Sequence, residues 1–201
     1  MSSFINNLEW RRAIKHFDNN EQITNEQISK IMQSIIETPT SFGIQPFHVI
    51  LIQSPELKKR LKPLSFDQEQ IVECHTLFIF CVRTDVRERI EQYIEQSGIS
   101  EEQQQIIYDF VSSHENDLSL SIWATRQVYI ALGFAIAAAT ELKVPSCPME
   151  GFDPVKVSKL LKLPLHYQPM VYLTIGGESK EQHPYPKFRF KKKDIFSKYT
   201  K

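Results

Sequence analysis

Three places in the 201-residue chain gather side chains that could hold an anionic, flat-ringed ligand. The first is Arg11-Arg12-Ala13-Ile14-Lys15. Guanidinium forks match phosphate oxygens two at a time, whereas a lysine supplies a point charge able to stabilise an electron-rich ring. A charge run is equally what a solvated helix face looks like, so the cluster alone leaves both readings open. The second is Thr38 to Phe47, in which Thr40, Ser41 and Gly43 lie between Pro39 and Pro46. A loop of prolines, glycine and hydroxyls brings backbone and side-chain donors close to a planar ring, or is a rigid turn. The third is Pro148-Met149-Glu150-Gly151-Phe152-Asp153. A turn amide here could donate to a redox-active ring nitrogen; otherwise this is a loop whose Asp153 caps the next helix.

Composition removes many rivals. Lys plus Arg equals Asp plus Glu at 24 each, so no global field recruits nucleic acid or an anionic membrane, and an anion must be held locally. Cys74, Cys81 and Cys147 match no metal or redox spacing, and residues 1–12 lack the apolar core of a secretory signal. The expectation is a reduced, cytoplasmic protein. With six glycines there is no G-x-G-x-x-G and no phosphate-binding P-loop, and the nucleophile elbow G-x-S-x-G and the zinc motif H-E-x-x-H are missing too. Cys74-His75 point to opposite faces if extended, so no nucleophile and no metal site is expected.

The elements that must position these groups are partly legible. Thr24 and Gln27 form a capping pattern, and Ile28, Ile31, Met32, Ile35 and Ile36 recur at helical spacing until Pro39. Phe47 to Ile52, Leu77 to Val82 and Met170 to Ile175 read as buried strands of one sheet. The Glu- and Gln-rich stretch 85–117 reads as a solvated helical excursion. A helix is expected over Leu120 to Leu142, then an extended piece at Val144 to Cys147 and a small helix at Pro154 to Leu161. The longest apolar run, Val128 to Ala139, is about a dozen residues, short of the ~20 a membrane span needs. It is apolar on all faces, as a helix with neighbours all round would be. The tail from His183 to Lys201 reads as an arm laid on another surface. One domain over 1–201 is the default.

Taken in order, these motifs resemble the FMN-dependent nitroreductases. Arg11-Arg12-x-x-Lys15-x-Phe17-Asp18 is similar to the family's opening R-R-S-x-R/K-x-F-D, and Pro39 to Phe47 to its P-[ST]-S-x-x-x-Q-P-[WF] loop. Phe66 to Gln70 resembles its N-Q or N-x-x-K/Q element, Pro148 to Phe152 its P-[IM]-E-G-[FY] turn, and Pro186-Lys187-Phe188-Arg189 its closing P-K-x-R. The resemblance implies an α+β fold, with a central mixed sheet flanked by helices, in an intertwined homodimer with FMN sites at the interface. By the same resemblance Arg11, Arg12, Lys187 and Arg189 surround the FMN phosphate, and Lys15 reaches the ring's pyrimidine edge. Thr40, Ser41 and Gly43 approach from the partner, Asp67 and Gln70 bind the ribityl chain or ring, and Pro148, Met149, Glu150 and Gly151 form the turn whose amides face N5 and O4. Ala13 stands where serine is usual, which removes a hydroxyl worth about 1 kcal/mol to the phosphate. Gly43 and Asp67 stand where asparagine is usual, and Phe47 where tryptophan is. The implied activity is ping-pong transfer of reducing equivalents from NAD(P)H to nitroaromatic, quinone or similar acceptors, with hydride passing through the flavin. Flavin reduction, dehalogenation or a non-catalytic flavin-binding dimer are alternatives. Tyr108 and Phe110 are candidates to contact the acceptor, although residues two apart do not share a helix face, so at least one packs.

Overall fold

The computed structural model describes residues 4–18, 20–21, 23–114, 116–180 and 186–200. In chain order its elements are α1 (Phe4–Trp10), β1 (Phe17–Asp18), α2 (Asn25–Ile36), β2 (Phe47–Ile52), α3 (Pro55–Leu61), α4 (Gln70–Glu73), β3 (Thr76–Arg83), α5 (Val86–Ser97), α6 (Glu101–Ser112), α7 (Asp117–Glu141), β4 (Ser146–Met149), α8 (Pro154–Leu161), β5 (Tyr167–Ile175), β6 (Gly177–Glu178) and α9 (Lys192–Ile195).

The main sheet has the order β2-β3-β5-β4, and every neighbouring pair is antiparallel. This corrects the expectation of a mixed sheet. β3 and β4 do run the same way, but the nine-residue β5 lies between them. Among the described residues parallel pairing is one bridge, Ala13 with Ser146, where the Ile14 amide donates to the Ser146 carbonyl at 3.1 Å. Because successive side chains of a strand face opposite ways, β3 serves two cores. Phe78, Phe80 and Val82 pack on the side of α2 and α7, while Leu77, Ile79 and Cys81 pack with Leu61, Ile71, Met149 and Val157 on the other.

Helix α2 starts as its sequence requires. The Thr24 hydroxyl accepts from the Gln27 amide at 3.1 Å, and the Gln27 side chain accepts from the Thr24 amide at 3.0 Å. Its Ile28, Ile31 and Ile35 are buried, whereas Met32 and Ile36 remain exposed. The stretch expected as one excursion is a helical pair: α5 ends at Gly98, whose φ of 66° suits a residue without Cβ, and Ser100 caps α6.

Helix α7 is 25 residues long, and by length and composition it is apolar enough to cross a membrane. The count from Val128 to Ala139 fell short because Leu118, Leu120, Ile122, Trp123 and Ala124 continue the apolar content beyond Arg126 and Gln127. Within the fold its Ala124, Val128, Ala131, Ala135 and Ala139 are buried in the core cluster shared with β3 and β5. The opposite stripe of Ile122, Tyr129, Ile130 and Phe134 is exposed. The small residues at the inner positions let the helix lie close on the sheet.

Ile31 is fully buried between α2 and the core, so Ile31→Ala is expected to lower unfolding free energy by about 2–5 kcal/mol, against about 1 kcal/mol for Thr24→Ala, both read by urea denaturation.

Candidate functional site

The two ends of the chain meet. The Lys187 ammonium donates to the carbonyls of Leu8, Glu9 at 3.2 Å and Arg11 at 3.1 Å, which satisfies acceptors left open at the end of α1. Burial lowers the proton affinity of Arg11 and the charge of Arg189 lowers it further; Lys187 is lowered by desolvation and then by Arg11 and Arg189. The charge of Arg189 thus acts on Arg11, and the charges of Arg11 and Arg189 act on Lys187. The arm that brings Lys187 and Arg189 here is exposed throughout 186–200, and His183 lies outside the described residues. Arg12 is not gathered with the others: it pairs with Glu178 of β6 at 3.1 Å.

Beyond the Ala13 bridge, Lys15 runs along the outer edge of β4, with its ammonium 3.7 Å from the Cys147 sulfur. Gln70 is buried and donates toward Cys147 and, at 3.5 Å, toward Gln68. The β4–β5 register fixes what the next turn presents. Gly176 donates to Pro145, so Cys147 and Met149 are the residues that exchange hydrogen bonds with Thr174 and Tyr172. By this alternation the Glu150 amide points off the outer edge of β4, the edge along which Ala13 to Lys15 lie. Pro148, one position inside the non-bonded pairs, has no N–H to offer there.

The turn itself is tied on several sides. Glu150 accepts from the Tyr129 hydroxyl at 2.7 Å, and the Gly151 carbonyl accepts from the Gln68 amide at 2.8 Å. A Cβ on Gly151 would lie 2.7 Å from that Gln68 nitrogen, so a larger residue here would push the Gln68 side chain off the carbonyl it holds. Asp153 donates its backbone N–H to Leu64 at 2.8 Å, and its side chain caps α8 through the Lys156 amide at 3.0 Å. Phe66 and Asp67 make a tight turn at φ 53° and 54° and stay exposed, with the Phe66 ring beside Gly151.

The Thr38 to Phe47 loop is built on the other helices. The Ser41 amide donates to the buried Gln127 side chain of α7 at 3.0 Å, and the Thr40 hydroxyl accepts from the Gln45 amide at 3.0 Å. Gly43 adopts φ +76°, and a Cβ there would lie 3.7 Å from the Tyr93 ring of α5. Phe42 packs edge-on against Phe110 at 5.1 Å, and Phe110 lies 5.2 Å from Trp123. Phe110 is thus a packing residue linking loop, α6 and α7, while Tyr108 is exposed and donates to Glu91 at 3.1 Å. The loop's hydrogen bonds run to α2, α5 and α7 and not to Arg11 or Arg189. A groove of about 600 Å³ lined by Pro154, Val155, Leu163, Leu165 and Met170 lies at the end of β5 away from Ser146, and it lacks the cations gathered at Arg11.

The sequence profile described as Nitroreductase family matches residues 8–177. The chain belongs to the nitroreductase family. A Staphylococcus haemolyticus protein named as an NAD(P)H nitroreductase is 29% identical over 211 residues, covering 96% of this chain and 95% of its own. One of that name from Staphylococcus epidermidis is 30% identical over 172 residues, covering 79% and 78%. Among solved structures, a nitroreductase of Bacillus subtilis superposes with TM-score 0.85 at 21% identity, covering 98% of each chain. A nitroreductase of Exiguobacterium sibiricum, crystallised with FMN, superposes with TM-score 0.83 at 19% identity, covering 99% and 98%. These likenesses fix the α+β nitroreductase fold with its central antiparallel sheet.

Three residues that brace the turn and the loop carry no motif of their own in the sequence: Gln68, Gln127 and Tyr129. Gln68 lies inside the Phe66 to Gln70 segment, between Asp67 and Gln70. Gln127 and Tyr129 flank the start of the apolar run, and a polar group among buried neighbours was the available clue for Gln127. Among the described residues no cluster of His, Cys, Asp or Glu is arranged to hold a metal.

Burial pushes the Cys74 and Cys81 thiols from 9.0 up to about 12, and raises Cys147 despite the lowering pull of Lys15. A thiol that resists ionisation in the folded chain holds its proton there while the unfolded chain has released it, so stability declines as pH rises above 9.0 toward 12. The urea midpoint is expected to fall between about pH 8 and pH 10.5, less steeply in Cys74→Ala/Cys81→Ala, and all three native thiols should resist a thiol reagent until unfolding.

Proposed function

We propose that this nitroreductase binds FMN at the junction of two copies and passes reducing equivalents from NAD(P)H to a small organic acceptor of the nitroaromatic or quinone class. The observation that carries the reading is the meeting of the two chain ends, where the Lys187 ammonium seats on the Leu8, Glu9 and Arg11 carbonyls and Arg189 comes within the field of Arg11. Like charges held together raise the free energy of the empty site, and a phosphate lowers it. The S. haemolyticus relative's name supplies the nicotinamide donor, and the E. sibiricum structure contains FMN.

Within this reading the cations divide their work. The three protons of the Lys187 ammonium are directed at three carbonyls, so Lys187 orders the Arg11 segment, and the guanidinium groups of Arg11 and Arg189 take the phosphate oxygens. Arg12, engaged with Glu178, braces the first loop against β6. Lys15 and the outward Glu150 amide lie along one strand edge and favour negative charge on a ring placed there. Bound FMN supplies the hydride-accepting and hydride-donating nitrogen, and no side chain acts as a nucleophile. The α5–α6 pair, joined to the Thr38 to Phe47 loop through Phe42 and Phe110, bears on which acceptor enters.

Two exposed apolar surfaces favour a homodimer: the α7 stripe of Ile122, Tyr129, Ile130 and Phe134, and the arm carrying Phe188, Phe190, Ile195, Phe196 and Tyr199. A partner covering both would bring its own Ser41 loop toward the cation cluster, which the loop does not reach through its hydrogen bonds in one chain. The three unpaired cysteines suit the reducing cytoplasm.

The purified protein is expected to be yellow, to lose its visible flavin absorbance on anaerobic addition of NADPH, and to elute at twice the 23.5 kDa chain mass. A monomer that stays colourless after FMN is added would end the proposal. Lys187→Ala/Arg189→Ala should weaken FMN binding by about 100-fold in an absorbance titration, since each charge-assisted contact contributes about 1.5–3 kcal/mol.

A further inference from the structure

The Glu150–Gly151 peptide is gripped from two sides by residues that belong to neither the cation cluster nor the strand edge. On one side the Tyr129 hydroxyl, from the exposed stripe of α7, donates to the Glu150 carboxylate at 2.7 Å. On the other, Gln68 donates to the Gly151 carbonyl at 2.8 Å and to the Ser65 carbonyl at 3.1 Å, which anchors the Gln68 side chain to its own turn. The peptide plane between these two grips carries the Glu150 carbonyl, which accepts from the Phe152 amide at 3.0 Å, and the Gly151 N–H; because the plane is rigid and both of its flanks are tied, that N–H has little freedom to rotate. The β4–β5 register already aims the Glu150 amide off the strand edge; the two grips determine how far the direction can wander.

We propose that Tyr129 and Gln68 are positioning residues that set the orientation of the Glu150–Gly151 amides toward the redox-active edge of the flavin ring, and so tune its reduction. This rests on the FMN reading above. Tyr129 has a second effect. While its hydroxyl is donated to Glu150, burial and that carboxylate push its own proton affinity up to about 12, so Tyr129 stays a neutral donor at neutral pH. The carboxylate's charge is thereby held on the α7 side of the turn. Freed from Tyr129, it could swing toward the ring and disfavour extra electron density there.

Tyr129 and Gln68 lie outside the phosphate cradle, so their loss should separate binding from reduction. In the FMN-loaded Tyr129→Phe dimer the FMN dissociation constant should stay within about threefold of the parent, while the midpoint potential of the bound flavin falls and the rate of bleaching by saturating NADPH drops about tenfold, as for a misaligned donor. Gln68→Glu keeps the shape but sets an acceptor against the Gly151 carbonyl, and the same pattern is expected. Glu150→Gln in the Tyr129→Phe background removes the freed charge, so the midpoint potential should return part of the way toward that of the parent. Thermal unfolding of each variant separates these effects from a loss of fold; Phe at the half-exposed position 129 should unfold within a few degrees of the parent. Unchanged potential and bleaching rate in both Tyr129→Phe and Gln68→Glu would overturn the positioning role while leaving the FMN reading intact. A parent protein that takes up no FMN would overturn both.

Discussion

Desolvation lowers the proton affinity of Arg11 and of Lys187, and the charge of Arg189 lowers both further, which means that folding brings together charges that the unfolded chain keeps apart. The arrangement persists because Lys187 is saturated by the carbonyls at the end of α1, and because the Arg11 segment is pinned to β4 by the Ala13–Ser146 bridge. Much else follows from that junction. It fixes where the arm leaves the domain, and it sets Lys15 on the outer edge of β4. It also leaves a region of positive potential that an anion can occupy.

The edge of β4 is the second constraint. A short strand with proline at its third position cannot be extended by an ordinary ladder on its free side, because one N–H is missing. A single parallel bridge covers its first residue, and the remaining edge faces the cation-bearing segment with an open amide at Glu150. The turn that follows is stiffened by two side-chain grips, one of them Gln68, whose amide lies where a Cβ on Gly151 would fall. Antiparallel pairing with β5, not chemistry in the turn, is what directs that amide outward.

Helix α7 runs between the core it shares with α2 and the sheet and an exposed apolar stripe. Alanines on its inner side allow close packing on the sheet, and Gln127 spans to the Ser41 amide. Its outer side carries Tyr129 among large apolar groups. One helix therefore braces the Ser41 loop, supports the Glu150 turn and offers an apolar stripe to a partner, so packing changes along it reach all three.

Local periodicity and punctuation were enough to find α2, α8, β2 and the long helix, because capping boxes, prolines and apolar spacing act over a few residues. Short helices such as α1, α3 and α4 escaped, since a single turn or two has too few residues to show a period and is held by tertiary contacts such as Lys187 on the end of α1. The order of five motifs pointed to the family, and the profile match over residues 8–177 bears that out. Sequence could not say that Arg12 turns to Glu178, that Lys187 serves carbonyls, that Phe110 packs, or that the sheet is antiparallel throughout. Each of these depends on which distant groups arrive within a few ångströms, and hydrogen bonds and Coulomb forces between side chains act through space, whereas the sequence records only separation along the chain.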